Sequence, residues 1–223
     1  MIVEILITQM PYLLHGVWVA LQLLVCLLAL GFVLGLSLAI LEVYGHWTLR
    51  WFGVLFERIF RGIPAIVLLL LFYYGVTDFV DISAFTAAVL ALGLRSAAYQ
   101  SQIFRGSILS ISQGQMLAAR AMGMSKPMAI REIILPQALR LSIGPWTNEF
   151  SSEMKATSLA YVIGVVELTR QARYIISSTQ GNILAVFAVV AALYFIFNWL
   201  GNWGLYKLER KLAVPGFEQG GQG

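Results

Sequence analysis

The residues able to do chemistry in this chain fall in two places. The first is 147–158, TNEFSSEMKATS, where Asn148, Glu149, Glu153, Lys155, Thr157 and Ser158 interrupt an apolar region. Arg95, in GLRSAA, stands in a second apolar run. An ionisable side chain inside an apolar span is expensive, and it marks a substrate or ion pathway by default. Together these residues offer both charges that a zwitterion needs: Arg95 and Lys155 suit a carboxylate, Glu149 and Glu153 an ammonium. Each also has a quieter role. Arg95 can pair with Glu149 or Glu153 simply to neutralise itself, Lys155 can hold a helix break together, and Thr157 and Ser158 can cap the next helical piece.

The second place is 112–140, SQGQMLAARAMGMSKPMAIREIILPQALR. It is the longest run without a membrane-length apolar segment, and it holds the densest positive charge. Gln115, Met116, Leu117, Ala118, Ala119 and Met122 read as a short helix with a narrow, adaptable apolar surface. Gly123 breaks it. Ser125 reads as the N-cap of a second helix with Pro127 in its first turn. Pro136, lacking a donor, kinks or restarts that helix.

Enzyme chemistry finds no foothold. His15 and His46 lie near opposite ends of one span, not at metal-ligand spacing, and no Ser, His and acid fall in a recognisable order. The single Cys26 supports neither a disulfide nor a metal site and reads as a small buried hydrophobe. No GxxxxGK[ST] stretch exists to cradle nucleotide phosphates.

These residues must be positioned by membrane helices. Of 223 residues, 59% are hydrophobic and only 12% charged, with a mean hydropathy of +0.80. A soluble domain is nearer half apolar and a quarter charged. The expected fold is an all-α integral membrane protein with a single domain over 1–212 and a polar, Gly-rich, disordered tail over 213–223. About five spans are expected, over 13–43, 52–80, 82–109, 135–166 and 183–206. Gly62 and Pro64 interrupt the second; Pro136, Gly144 and Pro145 break the fourth. Gly31, Gly35 and Ala39 line one face of the first span and invite close approach of another helix. The aromatics from Tyr194 to Trp203 read as lipid-facing or interfacial.

The net charge of +4 sits in loops flanking the spans and is no nucleic-acid signal. Basic residues mark the inner side. Arg50, Arg58, Arg61, Arg105, Arg120, Lys126, Arg131, Arg140, Lys207, Arg210 and Lys211 then place the N-terminus outside and the C-terminus inside. Only Arg170 and Arg173 fall in an outer loop. The N-terminus, with no basic n-region, is not read as a removed signal peptide.

Several segments resemble one family. Ala118-Ala119, Gly123 and, after nine residues, Ile133-Ile134-Leu135-Pro136 resemble the EAA loop of ABC importer permeases, with Leu117 where the family has Glu. ERIFRGIP at 57–64 resembles the FRGTP segment of polar amino acid permeases. AYQSQIFRG at 98–106 is similar to their AYxAExxRG, with Gln102 replacing Glu. LPQALR at 135–140 matches LPQAxR, and NEF at 148–150 with KATSL at 155–159 resembles NxxxxxxKxTSL. The resemblance runs from 13 to about 208 and identifies the membrane subunit of a type I ABC importer for polar amino acids. It implies a multi-pass protein of a prokaryotic plasma membrane, with no cofactor on this chain. It also implies a separate ATPase dimer that binds ATP and Mg, a second permease copy or paralogue, and an external substrate-binding protein. The loop at about 110–136 becomes the cytoplasmic coupling element docking on the ATPase. The rival reading, from the residues alone, is an ion-driven carrier or channel in which Arg95, Glu149, Glu153 and Lys155 form a relay.

Overall fold

The structure, a computed structural model, describes residues 2–179 and 183–212; the expected tail at 213–223 lies outside them. Helices dominate, and no strand occurs among the described residues.

Helix α1 (Ile2–Tyr44) has 43 residues, a length of about 65 Å at 1.5 Å per residue. Its Thr8–Tyr44 portion and α10 (Ile183–Lys211) are long and apolar enough to cross a membrane by themselves. The expected second span is not one helix. The amphipathic α2 (Trp47–Gly62) and the apolar α3 (Ala65–Thr77) meet at 102°, and only together do they make a third candidate. The cause is Pro64: the residue before a proline is pushed from helical to extended backbone, and Ile63 sits at φ −95°, ψ 131°. Helix α2 keeps Trp47, Trp51, Phe52, Leu55 and Ile59 on its exposed face. Helix α4 (Ala84–Ser110) has 27 residues; Arg95, Gln100, Gln102 and Arg105 make it less apolar than α1 or α10.

The glycine face of α1 does what its spacing promised. A Cβ at Gly31 would come within 2.4 Å of Gln100 Nε2, and one at Gly35 within 2.9 Å of the Ala97 carbonyl. Helices α1 and α4 therefore pack backbone to backbone, and Ala39 continues the contact beside Phe104 and Ile108.

The loop after α4 is built from local caps. Ser112 accepts from Gly114 N at 3.2 Å and starts α5 (Gln113–Ala121), two residues earlier than its apolar pattern suggests. Gly123 turns the chain at φ +86°. Ser125 accepts from Met128 N at 3.4 Å, opening α6 (Lys126–Ala129) with Pro127 in its first turn. A π-helical turn (Ile130–Ile134) follows, and α7 (Leu135–Leu141) restarts with Pro136 at its head. Gln137 Nε2 donates to the Ile133 carbonyl at 2.7 Å, satisfying an acceptor beside the irregular turn.

Helix α8 (Ile143–Ala156) runs into a 3₁₀ stretch (Thr157–Ile163) that ends on Gly164 at φ +103°. Thr157 and Ser158 do not cap this piece. Their hydroxyls donate backwards to the carbonyls of Met154 and Lys155, both at 2.7 Å, as hydroxyls do when no free amide lies ahead. Arg170 and Arg173, expected in a loop, stand on the amphipathic helix α9 (Leu168–Thr179). Two further expectations fail. Cys26 is exposed on α1, because the inward face there is taken by Leu23, Leu24, Leu27 and Leu28. Tyr194 is not lipid-facing: its hydroxyl donates to Glu167 Oε2 at 2.9 Å, whereas Phe195, Trp199 and Trp203 are exposed.

Candidate transport pathway and coupling surface

Helices α4 and α8 face each other through a ladder of polar contacts. Arg95 Nη1 meets Glu153 Oε1 at 2.6 Å. Ser96 Oγ donates to Glu149 Oε1 at 2.9 Å. Trp146 Nε1 donates to Gln100 Oε1 at 2.8 Å, and Gln100 Nε2 donates to Ser96 Oγ at 3.0 Å and to the Leu28 carbonyl at 3.3 Å. The rungs repeat because residues three and four apart share one helix face: 96 and 100 on α4, flanked by 95, and 146, 149 and 153 on α8.

Glu153 is fully buried and Glu149 nearly so, while the Arg95 side chain keeps 17% of its surface. Glu153 Oε2 is buried and receives no hydrogen bond from any described residue. Glu149 and Glu153 stand four residues apart on α8, both buried, and so share one helix face. Two neighbouring carboxylates attract a proton or an ammonium group. Arg95 stays accessible on one side, where a carboxylate can approach it. The arrangement can therefore meet both ends of an amino acid.

Of the sequence-designated residues, Arg95, Glu149 and Glu153 come together. Thr157 is buried just beyond them. Asn148 and Lys155 do not join: seven residues apart on α8, they occupy another, exposed face. Ser158 is half-buried. Ser96, Gln100 and Trp146 went unremarked in the sequence, although polar residues four apart opposite a glycine face were a usable signal. Glu167 was missed too. It is buried at the start of α9 and accepts from Thr169 N at 2.8 Å and Arg170 N at 3.0 Å, the pattern of an acidic helix cap.

A second polar cluster sits among α1, α2 and α4. Gln102 Nε2 donates to Glu57 Oε2 at 2.8 Å and to Glu42 Oε2 at 3.3 Å, and Arg105 Nε reaches Glu42 Oε2 at 3.5 Å. Glutamate at 102 would set a third carboxylate among two. Glutamine supplies the donor that Glu42 and Glu57 need.

The residues expected to couple lie apart from all this. Leu117 in the middle of α5 and Met122 at its C-cap are 69% and 70% exposed, with Gln115 and Ala118 exposed beside them. Met116 is half-buried and Ala119 buried, seating the helix. Arg120 Nη1 donates to the Met124 carbonyl at 2.9 Å and holds the Gly123 turn. Behind α5 a cavity of about 490 Å³ is lined by Tyr44, Ile108, Met116 and Lys126, among others.

An all-helical chain with long apolar spans, a charged interior ladder and an exposed apolar tip defines a membrane transport subunit. Comparison with known proteins makes this particular. The family of binding-protein-dependent transport system inner membrane components matches residues 31–214, and the chain belongs to it. It is 36% identical over 220 residues to the octopine transport system permease protein OccM of Rhizobium meliloti, covering 91% of this chain and 89% of that one. It is 36% identical over 209 residues to the glutamine transport system permease protein GlnP of Escherichia coli strain K12, covering 92% and 94%. A solved structure described as an amino acid ABC transporter with histidines superposes with a TM-score of 0.85 at 32% identity, covering 95% of this chain and 98% of that one. The chain is thus a permease of the amino-acid ABC importer kind, and a membrane protein.

Proposed function

We propose that this chain is the membrane subunit of an ATP-driven importer that moves a polar amino acid across a prokaryotic inner membrane by alternating access. The permease domain spans 1–212, with the N-terminus outside, the C-terminus cytoplasmic and about five passes when the broken segments are counted. The loop at 110–136 docks on a separate ATPase, which binds ATP and Mg. A second permease copy or paralogue completes the pathway, and an external binding protein delivers the solute. Arg95, Glu149 and Glu153 face that solute, Arg95 toward its carboxylate and the two acids toward an ammonium. Asn148, Lys155, Thr157 and Ser158 form the border of the path.

One observation carries the reading: α5 is a nine-residue helix, fixed by local caps, that exposes Leu117 and Met122 instead of burying them. Exposed apolar side chains clustered on a braced helix fit a partner's groove. Glu149 and Glu153 on one face of α8 favour a solute with an ammonium group over a purely anionic one.

The test is reconstitution of the purified complex in vesicles. ATP should drive uptake, solute should stimulate hydrolysis, and chemical labelling of residues 113–123 should fall when the ATPase is bound. Full-rate uptake from a proton or sodium gradient without any ATPase, with equal labelling in both states, would mean an ion-driven carrier instead.

A further inference from the structure

Arg61 belongs neither to the ladder nor to the coupling loop, yet it reaches the same ring as Arg95. Its guanidinium carbon lies 5.0 Å from the centre of the Tyr99 ring, and that of Arg95 lies 4.7 Å from it. An aromatic face attracts a guanidinium within about 6 Å. Two guanidiniums on one ring also repel each other, so each needs an acid of its own. Glu57 pairs with Arg61 from the previous turn of α2, and Glu153 holds Arg95 at 2.6 Å.

Glu149, on the same face of α8 as Glu153, accepts instead from Ser96 Oγ at 2.9 Å. With the ring in place, both positive charges stay partly accessible, Arg61 more than Arg95, with 42% and 17% of their side chains exposed. Arg61 also occupies the last turn of α2, directly before the Gly62–Pro64 break where α2 and α3 diverge by 102°. The Tyr99 ring is therefore a physical contact between the end of α2 and Arg95 of the pair on α4 and α8.

We propose that Tyr99 is a positioning residue for solute recognition: its ring holds both Arg61 and Arg95, so that the two guanidiniums together recognise the amino acid's carboxylate. This rests on the reading of Arg95 as the carboxylate partner. The ring does the work and the phenolic hydroxyl does not, so phenylalanine can replace tyrosine here.

The test is equilibrium binding to the purified permease–ATPase complex. The probes are L-arginine, L-glutamine and L-glutamate, each against its decarboxylated form: agmatine, 4-aminobutanamide and 4-aminobutyrate. The wild type should prefer at least one amino acid to its decarboxylated form. Tyr99→Phe should keep that preference within about twofold. Tyr99→Leu and Arg61→Gln should each weaken amino-acid binding by about fivefold, the size of one cation–π contact, and leave the decarboxylated form unchanged. Equal losses for both forms would mean a packing role and overturn the proposal. So would Tyr99→Phe failing as badly as Tyr99→Leu, or Arg61→Gln leaving the preference intact. Arg95→Ala separates the two levels. If it abolishes the preference while the Tyr99 and Arg61 variants keep it, only this proposal falls. If it changes nothing, or the wild type shows no preference, the reading of Arg95 falls and takes this proposal with it.

Discussion

The ladder between α4 and α8 and the loop around α5 invert the usual rule in opposite ways. The ladder buries charge: Glu153 and Glu149 are 0% and 6% exposed. The loop exposes what is normally buried: Leu117 and Met122 lie open. They are also built differently. The ladder joins residues 58 and 53 apart in sequence, so only the folded chain creates it. The hydrogen bonds that shape the loop span two to four residues, from Ser112 to Gly114, Ser125 to Met128 and Arg120 to Met124. A site made by tertiary packing fails together with the packing. A site made by local caps can fail alone.

The largest effect should come from splitting the ladder's ion pair. Arg95→Ala leaves Glu153 buried and unpaired, which costs about 3–5 kcal/mol in comparable pairs. The yield of assembled complex should fall, and uptake should fall further, by at least about 100-fold by the same energy scale. The sharper experiment removes both charges. Replacing Arg95 and Glu153 together by methionine removes the unpaired charge and keeps the volume, so assembly measured by size-exclusion chromatography should recover while uptake stays lost. Recovery of uptake in the double variant would make the pair a structural tie and erase the functional side of the comparison.

The middle effect belongs to the loop's hinge. Gly123 sits at φ +86° with nothing crowding the position of a Cβ, so Gly123→Val meets backbone strain alone, on the order of 1–3 kcal/mol. Assembly should be unchanged, because no ladder contact depends on this turn. ATP hydrolysis should continue while solute moved per ATP falls by about tenfold, in line with that strain. A fall in assembled complex equal to that of Arg95→Ala would show that the loop is not the independent module its caps suggest.

The same contrast explains what the sequence disclosed. The loop was legible because its determinants are local: Ser125 before Pro127, Gly123 after an alanine-rich run, and Pro136 inside an apolar stretch each limit the backbone to one or two outcomes, and the cap, the turn and the restart are what occur. The glycine face of α1 was legible for the same reason, since Gly31 and Gly35 leave room for a neighbour whichever helix it is. The ladder was half legible. Arg95, Glu149 and Glu153 stood out as charges in apolar runs, but which acid pairs with Arg95 depends on helix rotation and packing. Lys155 and Asn148 stood out equally and yet face elsewhere, because composition does not reveal which side of α8 meets α4. Gln100 and Trp146 passed unnoticed since neither is charged. Thr157 and Ser158 misled because a hydroxyl can bond forward to an amide or backward to a carbonyl, and only the 3₁₀ turn decides.

The smallest effect tests the loop's apolar tip. Leu117 is exposed in the isolated chain, so Leu117→Ala should leave thermal unfolding and assembly of the permease unaltered. If docking buries this side chain, the truncation removes roughly 1–1.5 kcal/mol of apolar burial, about a five- to tenfold weaker grip on the ATPase, readable as the ATPase concentration needed for half-maximal uptake. Leu117→Glu then reports what the partner offers there. An apolar pocket would reject the carboxylate and weaken the grip beyond alanine, because burying an unpaired charge is costly. A cationic pocket would accept it and bring the affinity back toward that of leucine. If both variants match the wild type, the tip does not dock, and its exposed leucine would belong with the ordinary scatter of surface hydrophobes. The contrast between a buried charged site and an exposed apolar one would then rest on the ladder alone.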